Sequence, residues 1–365
     1  MNEASEVFSK NVFRAGSTAI ALDCKPPRER AKTKNKAAAC DAVFVSHAHC
    51  DHAPSLRDSS RLIASDATRE LLRARGLKIG FDAAPKLNDE LKLSLLPSGH
   101  VLGGTMLHAQ WDSTSFLYTG DFKTSQSLTQ REAANPRECE TLVIESTFGA
   151  PGLRFAPRDT VYKQIAEWAT RKTRTGACVV AGYALGKAQE LVACLNEYAG
   201  VAPIVTPDVA AICDVYVKNG VKLDYVSSAS EEGCAELRRR FCAVLTPSVA
   251  RRFTPPAGQR LATAYASGWC ASVFEGGRNG GANSLGFDAG FALSDHADFF
   301  ELIDFVEACS PKRVLCVHGF SEQLAAALRR RGFNAAAAAE TRRALPAAKK
   351  KQFTLKECEV CKVHE

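Results

Sequence analysis

Val43-Phe-Val-Ser-His-Ala-His-Cys-Asp-His52 decides how this chain is read. Residues 43–45 are β-branched or aromatic, the character of a short buried strand. The run leads directly into His47, His49, Asp51 and His52, four metal-capable side chains within six residues. Only eight histidines occur among the 365 residues, so three in one loop point to a built site. On an extended segment, residues two apart share a face, so His47, His49 and Asp51 converge and His52 faces away. A turn there would instead let His47 and His49 serve one ion while Asp51 and His52 serve a second. Imidazole nitrogen with carboxylate oxygen is the donor set of zinc, manganese or iron.

Working outward, polar residues recur where short apolar runs end. His100 follows the run 91–98, Asp121 follows 116–120, Glu145 ends 142–144 and His318 ends 314–317. Each alone is an ordinary cap or surface residue. Together they complete a two-ion site, with His47, His49 and His100 on one ion, Asp51, His52 and His318 on the other, and Asp121 as the bridging carboxylate. That count leaves room for a shared water or hydroxide, as hydrolysis requires. Gly99, Gly120 and Gly319 beside these residues allow close approach of backbone and substrate.

The motifs resemble a known family. Ser46-His-Ala-His-Cys-Asp-His52, Gly99-His100, Gly120-Asp121 and His318-Gly319 look like the metallo-β-lactamase fold. Glu145-Ser-Thr-Phe-Gly149, Ser294-Asp-His296 and Val317-His-Gly319 look like motifs A, B and C of its β-CASP nuclease group. With Tyr183-Ala-Leu-Gly-Lys-Ala-Gln189 and Ala266-Ser-Gly-Trp269, the pattern is most similar to bacterial ligase-associated DNA exonucleases and archaeal mRNA 3′-end processing factors. It extends over about residues 15–335.

The resemblance implies an α/β architecture, a four-layer αββα sandwich with an inserted α/β β-CASP cap. The expected division is 1–148 and 291–340 for the metallo-β-lactamase domain, 149–290 for the cap, and 341–365 for a basic, cysteine-containing tail. It also implies roles. His296 protonates the leaving oxygen, Glu145 orients that histidine, and Asp23 supports the metal site from behind. Lys187 and Trp269 are candidates to contact phosphate and base in the cap, or to be structural. The cofactors are two divalent ions, zinc or manganese. The expected substrate is nucleic acid, DNA or RNA, with a single-stranded end or loop favoured. The expected setting is a DNA ligase/helicase repair system or an RNA-processing complex. A histidine at motif C is typical of RNA-cleaving branches. The competing functions are a small-substrate hydrolase such as a thioesterase or lactonase, against which the cap and motifs A to C count, and a non-catalytic scaffold subunit, which usually loses ligands this chain keeps.

Composition is compatible with this reading. The length suggests one large or two ordinary domains. Hydrophobic content of 46% and charged content of 24% are ordinary for a globular protein. A net charge of +7 suits a polyanionic partner. No apolar run is long enough to span a bilayer, the N-terminus lacks signal-peptide character, and many of the fourteen cysteines lie in apolar runs. These features lead to the expectation of a cytoplasmic protein, nuclear if eukaryotic. From residue 148 onward helix and strand alternate, as in a parallel α/β module. Asp298 and Glu301 form a capping-box pattern that starts a helix just past His296. His108 reads as a sheet residue and Cys50 as filler. The basic loop 25–36 is either a solvated loop or a phosphate or import patch. Cys358, Cys361 and His364 are either a frayed tail or a partial zinc site.

Overall fold

Strands β1 (Phe8–Ser9), β2 (Val12–Ala15), β3 (Thr18–Leu22), β4 (Ala42–Phe44) and β5 (Leu62–Ile63) pair in that order into one sheet. A second sheet runs β17 (Ala335–Ala337), β16 (Arg313–Val317), β9 (Thr141–Glu145), β8 (Thr114–Tyr118), β7 (Thr105–Trp111) and β6 (Lys92–Pro97). These come from a computed structural model that describes residues 8–9, 11–24, 40–53, 61–79, 85, 87–256, 258–271 and 286–338. The basic loop 25–36 and the tail with Cys358, Cys361 and His364 lie outside the described residues.

Side-chain alternation turns the two sheets into layers. In β16, Leu315 and Val317 point into one core with Phe13, Ile20 and Phe44 of the first sheet and Phe116 and Tyr118 of the second. The rings of Phe13 and Phe116 meet there at 4.5 Å between centroids. Val314 and Cys316, one residue out of phase, point the other way, onto two helices, Phe299–Cys309 and Ser321–Arg330. The outer face of the first sheet, Ala19, Ala21 and Val43, packs on Leu71 and Leu72 of α1 (Asp66–Ala74). The result is the four-layer αββα sandwich. Strand β9 is buried along its whole length, as a strand covered on both faces must be.

A third, all-parallel sheet lies in the chain between the two halves of the second. Its order is β12 (Val226–Ser227), β11 (Ile204–Val205), β13 (Cys242–Leu245), β10 (Gly176–Ala181), β14 (Arg260–Ala266) and β15 (Ala289–Phe291). Cys178 and Val180 of β10 face α2 (Arg158–Thr173), α3 (Lys187–Ala199) and α4 (Pro207–Lys218), while Ala177, Val179 and Ala181 face a separate core. Two short helices, α5 (Glu231–Glu236) and α6 (Pro247–Ala250), complete this unit, and the helices at Phe299–Cys309 and Ser321–Arg330 are α7 and α8.

Local chemistry sets several boundaries. The side chain of Asp298 accepts from the N–H groups of Phe300 and Glu301, and Glu301 returns a bond to the Asp298 N–H, so the capping box starts α7 as its sequence pattern indicates. The stretch 61–65 divides between strand and helix cap. Only Leu62–Ile63 pairs, and Ser65 caps α1 by accepting from Thr68 N–H. No helix among the described residues is long and apolar enough to cross a membrane.

Candidate metal centre

The site forms where the strands of both sheets end at one edge. β4 delivers His47 through His52, β8 delivers Asp121, β9 ends on Glu145, and β16 delivers His318. Thr105 N–H donates to Ser46 O at 2.8 Å and fastens the two sheets together at this edge. Strand β4 stops at Phe44, so the histidines do not lie on an extended segment. The chain turns, with His52 N–H donating to His49 O at 3.2 Å and Ala53 N–H at 2.9 Å. The alternation expected for an extended strand therefore fails. His52 turns inward, while the Asp51 carboxylate is 81% exposed and lies 3.9 Å from His52 Nε2.

Hydrogen bonds fix which ring nitrogens carry protons. Ser46 Oγ donates to Asp23 at 2.6 Å, so it accepts from His47 Nδ1 at 2.9 Å. His49 Nε2 donates to Leu185 O at 3.1 Å, and His100 Nδ1 donates to Asp295 O at 2.9 Å. His52 Nδ1 donates to Asp23 at 2.8 Å. Each ring thus turns its unprotonated nitrogen inward. His49 Nδ1 lies 2.8 Å from His47 Nε2 and 3.2 Å from His100 Nε2. With the protons committed elsewhere, these close pairs are convergent lone pairs rather than hydrogen bonds. Asp121 Oδ2 lies 3.3 to 3.7 Å from the inward nitrogens of His47, His52 and His100. The ligand atoms of His47, His49, His100 and Asp121 all fall within 4.8 Å of one another. This donor set fits a divalent metal, and each histidine is held by an outer partner as metal-ligating histidines are.

Electrostatics agree at His47 and His100. Burial, reinforced by the neighbouring imidazoles, holds His47 well below the usual histidine range and His100 at about 3, so both stay neutral as ligands must. At His52 burial acts the same way, but the carboxylates of Asp121 and Asp23 outweigh it and raise the group. Asp121 is itself pushed up by burial and pulled down further by the neighbouring His52 and His296 imidazoles.

Asp23 is the hub behind the metal centre. Besides His52 and Ser46 Oγ it accepts from Ser46 N–H at 2.7 Å and Tyr118 Oη at 2.9 Å. Beside the ligands, a Cβ on Gly120 would meet Ser46 Cβ at 2.6 Å, and one on Gly319 would meet Ser146 O at 2.4 Å, so neither position admits a side chain.

Glu145 and His296 form a second pair against the first. His296 Nδ1 is 3.0 Å from each Glu145 oxygen. Glu145 is fully buried and also accepts from Phe122 N–H at 2.8 Å and Thr147 N–H at 3.3 Å. Burial opposes protonation of His296, but Glu145 and then Asp121 outweigh it and bring the group to about 9. The His296 ring lies 4.6 Å from that of His100. His318 stands at the rim with its ring 5.6 Å from that of His52, in left-handed backbone at φ +62°.

Comparison with known proteins gives its relatives. Residues 291–338 match the model of the Zn-dependent metallo-hydrolase RNA specificity domain. The chain is 33% identical over 310 residues to a probable DNA ligase of Opitutus terrae, covering 81% of this chain and 28% of that protein. It is 28% identical to an RNase J-like protein of Methanocaldococcus jannaschii, covering 49% of each. It is also 28% identical to transcription termination factor FttA of Pyrococcus horikoshii, covering 46% of this chain and 32% of that one. Together with the fold, these matches make the chain similar to the β-CASP group of the metallo-β-lactamase fold. It spans less than half the length of these curated relatives. A crystal structure of an Enterococcus faecalis protein of unknown function shares the fold, with a TM-score of 0.55 and 14% identity over 86% of this chain and 91% of that one.

Of the two cap candidates, one needs restating. Lys187 is no phosphate contact. Its ammonium is buried and bonds Glu190 at 2.6 Å and Asp295 at 2.8 Å, so both its position and its charge are taken. Trp269 is 40% exposed and packs 4.8 Å from Phe148, whose ring lies 5.9 Å from His296. The sequence reading missed Tyr118, Leu185 and Asp295 as partners of the site. Tyr118 carried a faint signal, a polar aromatic three residues before Asp121. His108 is buried in β7, and Cys50 is exposed beside the Arg75 guanidinium.

Proposed function

We propose that this protein is a nuclease that hydrolyses phosphodiester bonds with two zinc or manganese ions. The observation that carries the reading is the convergence of histidine lone pairs on Asp121 directly beside the His296–Glu145 pair. His47, His49, His100 and Asp121 would hold one ion, and Asp121, Asp51, His52 and His318 the other. Such a pair of ions supplies a hydroxide at neutral pH and offsets the charge of a phosphodiester. Asp121 would serve both sets. His296 gives its proton to the departing oxygen, and Glu145 holds the imidazole in place and keeps it protonated.

The α/β unit at 149–290 acts as a cap. Leu185 and Asp295, which follow the C-terminal ends of its parallel strands β10 and β15, touch His49 and His100, so the metal centre adjoins the edge at which such sheets bind ligands. Tyr183 and Trp269 follow two of these strands and are 50% and 40% exposed, which suits stacking against unpaired bases. A single-stranded end or loop of nucleic acid is therefore the favoured substrate. The RNA specificity domain match favours RNA, and the resemblance to a DNA ligase favours DNA in a repair setting. The many buried free thiols fit a reducing, intracellular compartment.

The test is purified protein with manganese or zinc against end-labelled single- and double-stranded DNA and RNA. Metal-dependent shortening of one polymer supports the reading. Inertness toward all four, with turnover of a thioester or lactone instead, would replace it with a small-substrate hydrolase.

A further inference from the structure

The cap reaches into the metal centre through its backbone. His49 donates Nε2–H to Leu185 O at 3.1 Å, and His100 donates Nδ1–H to Asp295 O at 2.9 Å. Leu185 lies in the turn between β10 and α3, and Asp295 lies just past β15. Two of the three histidines on the proposed first ion thus take their tautomer and ring orientation from carbonyls at the edge of the third sheet.

That edge is tightly fixed. Lys187 Nζ bonds Asp295 Oδ1 at 2.8 Å and Glu190 Oε2 at 2.6 Å, so one ammonium ties the turn at 185 to the segment at 295. Arg158 completes a quartet of two cations and two carboxylates through Glu190 and, at 3.5 Å, Asp295. Lys187 and Glu190 have side chains only 4% and 1% exposed, where removing one partner leaves an uncompensated charge. Gln189 accepts from Gly186 N–H at 2.8 Å and donates to Ala184 O at 3.1 Å, so the turn is also closed on itself. Gly186 presses on the loop that carries His100. A Cβ there would sit 2.5 Å from Val101 Cγ1. Leu102 N–H, in the same loop, donates to Tyr216 Oη of α4 at 3.2 Å.

We infer that Lys187, paired with Asp295, is a positioning residue that holds the Leu185 and Asp295 carbonyls against His49 and His100, so that metal affinity depends on the docking of α3. This rests on the metal reading above and goes beyond it, since it makes the cap part of the metal site and not only a cover for substrate. Coupling of this kind is reciprocal. Bound metal favours the docked cap to the same degree that the docked cap favours metal.

The test is zinc affinity of the full chain, stripped of metal and titrated in competition with a chromophoric chelator, beside the melting temperature of each stripped protein. Lys187→Met and Asp295→Asn should each weaken zinc about 10- to 100-fold, the usual effect of losing an outer partner of a ligating histidine. Asp295→Asn keeps shape and carbonyl, so it carries the test even where Lys187→Met does not fold. Lys187→Arg retains the cation and should recover most of the affinity. Val209→Ala removes methyl groups from the cap core, where the residue is fully buried, without touching either carbonyl. It should lower the melting temperature and leave zinc affinity within about twofold, a change too small to register as a lost outer partner. Folded Lys187→Met or Asp295→Asn that binds zinc like wild type overturns the coupling. Val209→Ala that weakens zinc as much as Lys187→Met overturns it too, because general loosening of the cap then explains the loss. Wild-type protein that binds no zinc would overturn the metal reading itself.

Discussion

Replacing His296 by alanine separates a proton donor from a metal ligand. The side chain makes two polar contacts of 3.0 Å, both to Glu145. Glu145 keeps its bonds from Phe122 N–H and Thr147 N–H after the substitution, and His296 has a side chain 22% exposed, so water can fill the space. The fold should therefore tolerate the change. The nitrogens of His47, His49, His52 and His100 are fixed by Ser46, Leu185, Asp23 and Asp295, none of which needs the His296 imidazole. Metal content should stay at the wild-type value. Turnover of an oligonucleotide should fall about 10²–10⁴-fold, the usual effect of losing a general acid. That corresponds to roughly 3–5 kcal/mol of barrier at about 1.4 kcal/mol per decade. A nitrophenyl phosphodiester has a leaving group that departs without a proton, so its turnover should fall far less. The assay is steady-state kinetics on both substrates, with elemental analysis of the same preparations. Loss of metal from His296→Ala, or an equal loss on both substrates, would refute the assignment of His296 as proton donor.

Three further outcomes are expected. Elemental analysis of wild-type protein should give two transition-metal ions per chain, and Asp121→Ala should lower occupancy of both, because its carboxylate lies within 3.7 Å of histidines on either side. Trp269→Ala should weaken single-stranded oligonucleotide binding by about 1–3 kcal/mol, the value of one base–aromatic stack, with little change in nitrophenyl phosphodiester turnover. The third concerns Glu301, which joins the loop after Asp121 to the start of α7 by bonding Lys123, Thr124 at 2.8 Å and Asp298 N–H at 2.8 Å. Burial raises its carboxyl, but Lys123 outweighs burial and leaves it below its ordinary value of 4.5. A carboxyl depressed in the folded state stabilises above its unfolded value and loses that contribution as pH falls through the folded value. Stability of the wild type, followed by urea melts, should thus drop on acidification below pH 4.5, and Glu301→Gln should drop less over the same interval.

The sequence alone pointed to the metal-capable side chains that gather at the site and to much of the frame, because those features are carried by residue type and short spacing. Only histidine and acidic side chains supply the required donors, and three histidines within six residues survive any local geometry. The capping box at Asp298 and Glu301 is legible for the same reason, since every atom in it lies within one turn. The alternation of β16 and β10 likewise follows from the chain itself. Tertiary structure decided the rest. Whether His52 turned inward depended on where β4 stopped pairing with β3 and β5, and pairing partners are not neighbours in sequence. The Leu185 and Asp295 carbonyls had no sequence signature at all, because every residue carries a carbonyl and only packing aims it. Lys187 looked like a phosphate contact because a lysine's charge is visible in sequence and its partner is not. Asp295 lies 108 residues away, and the fold alone brings that carboxylate within 2.8 Å and spends the charge inside the protein.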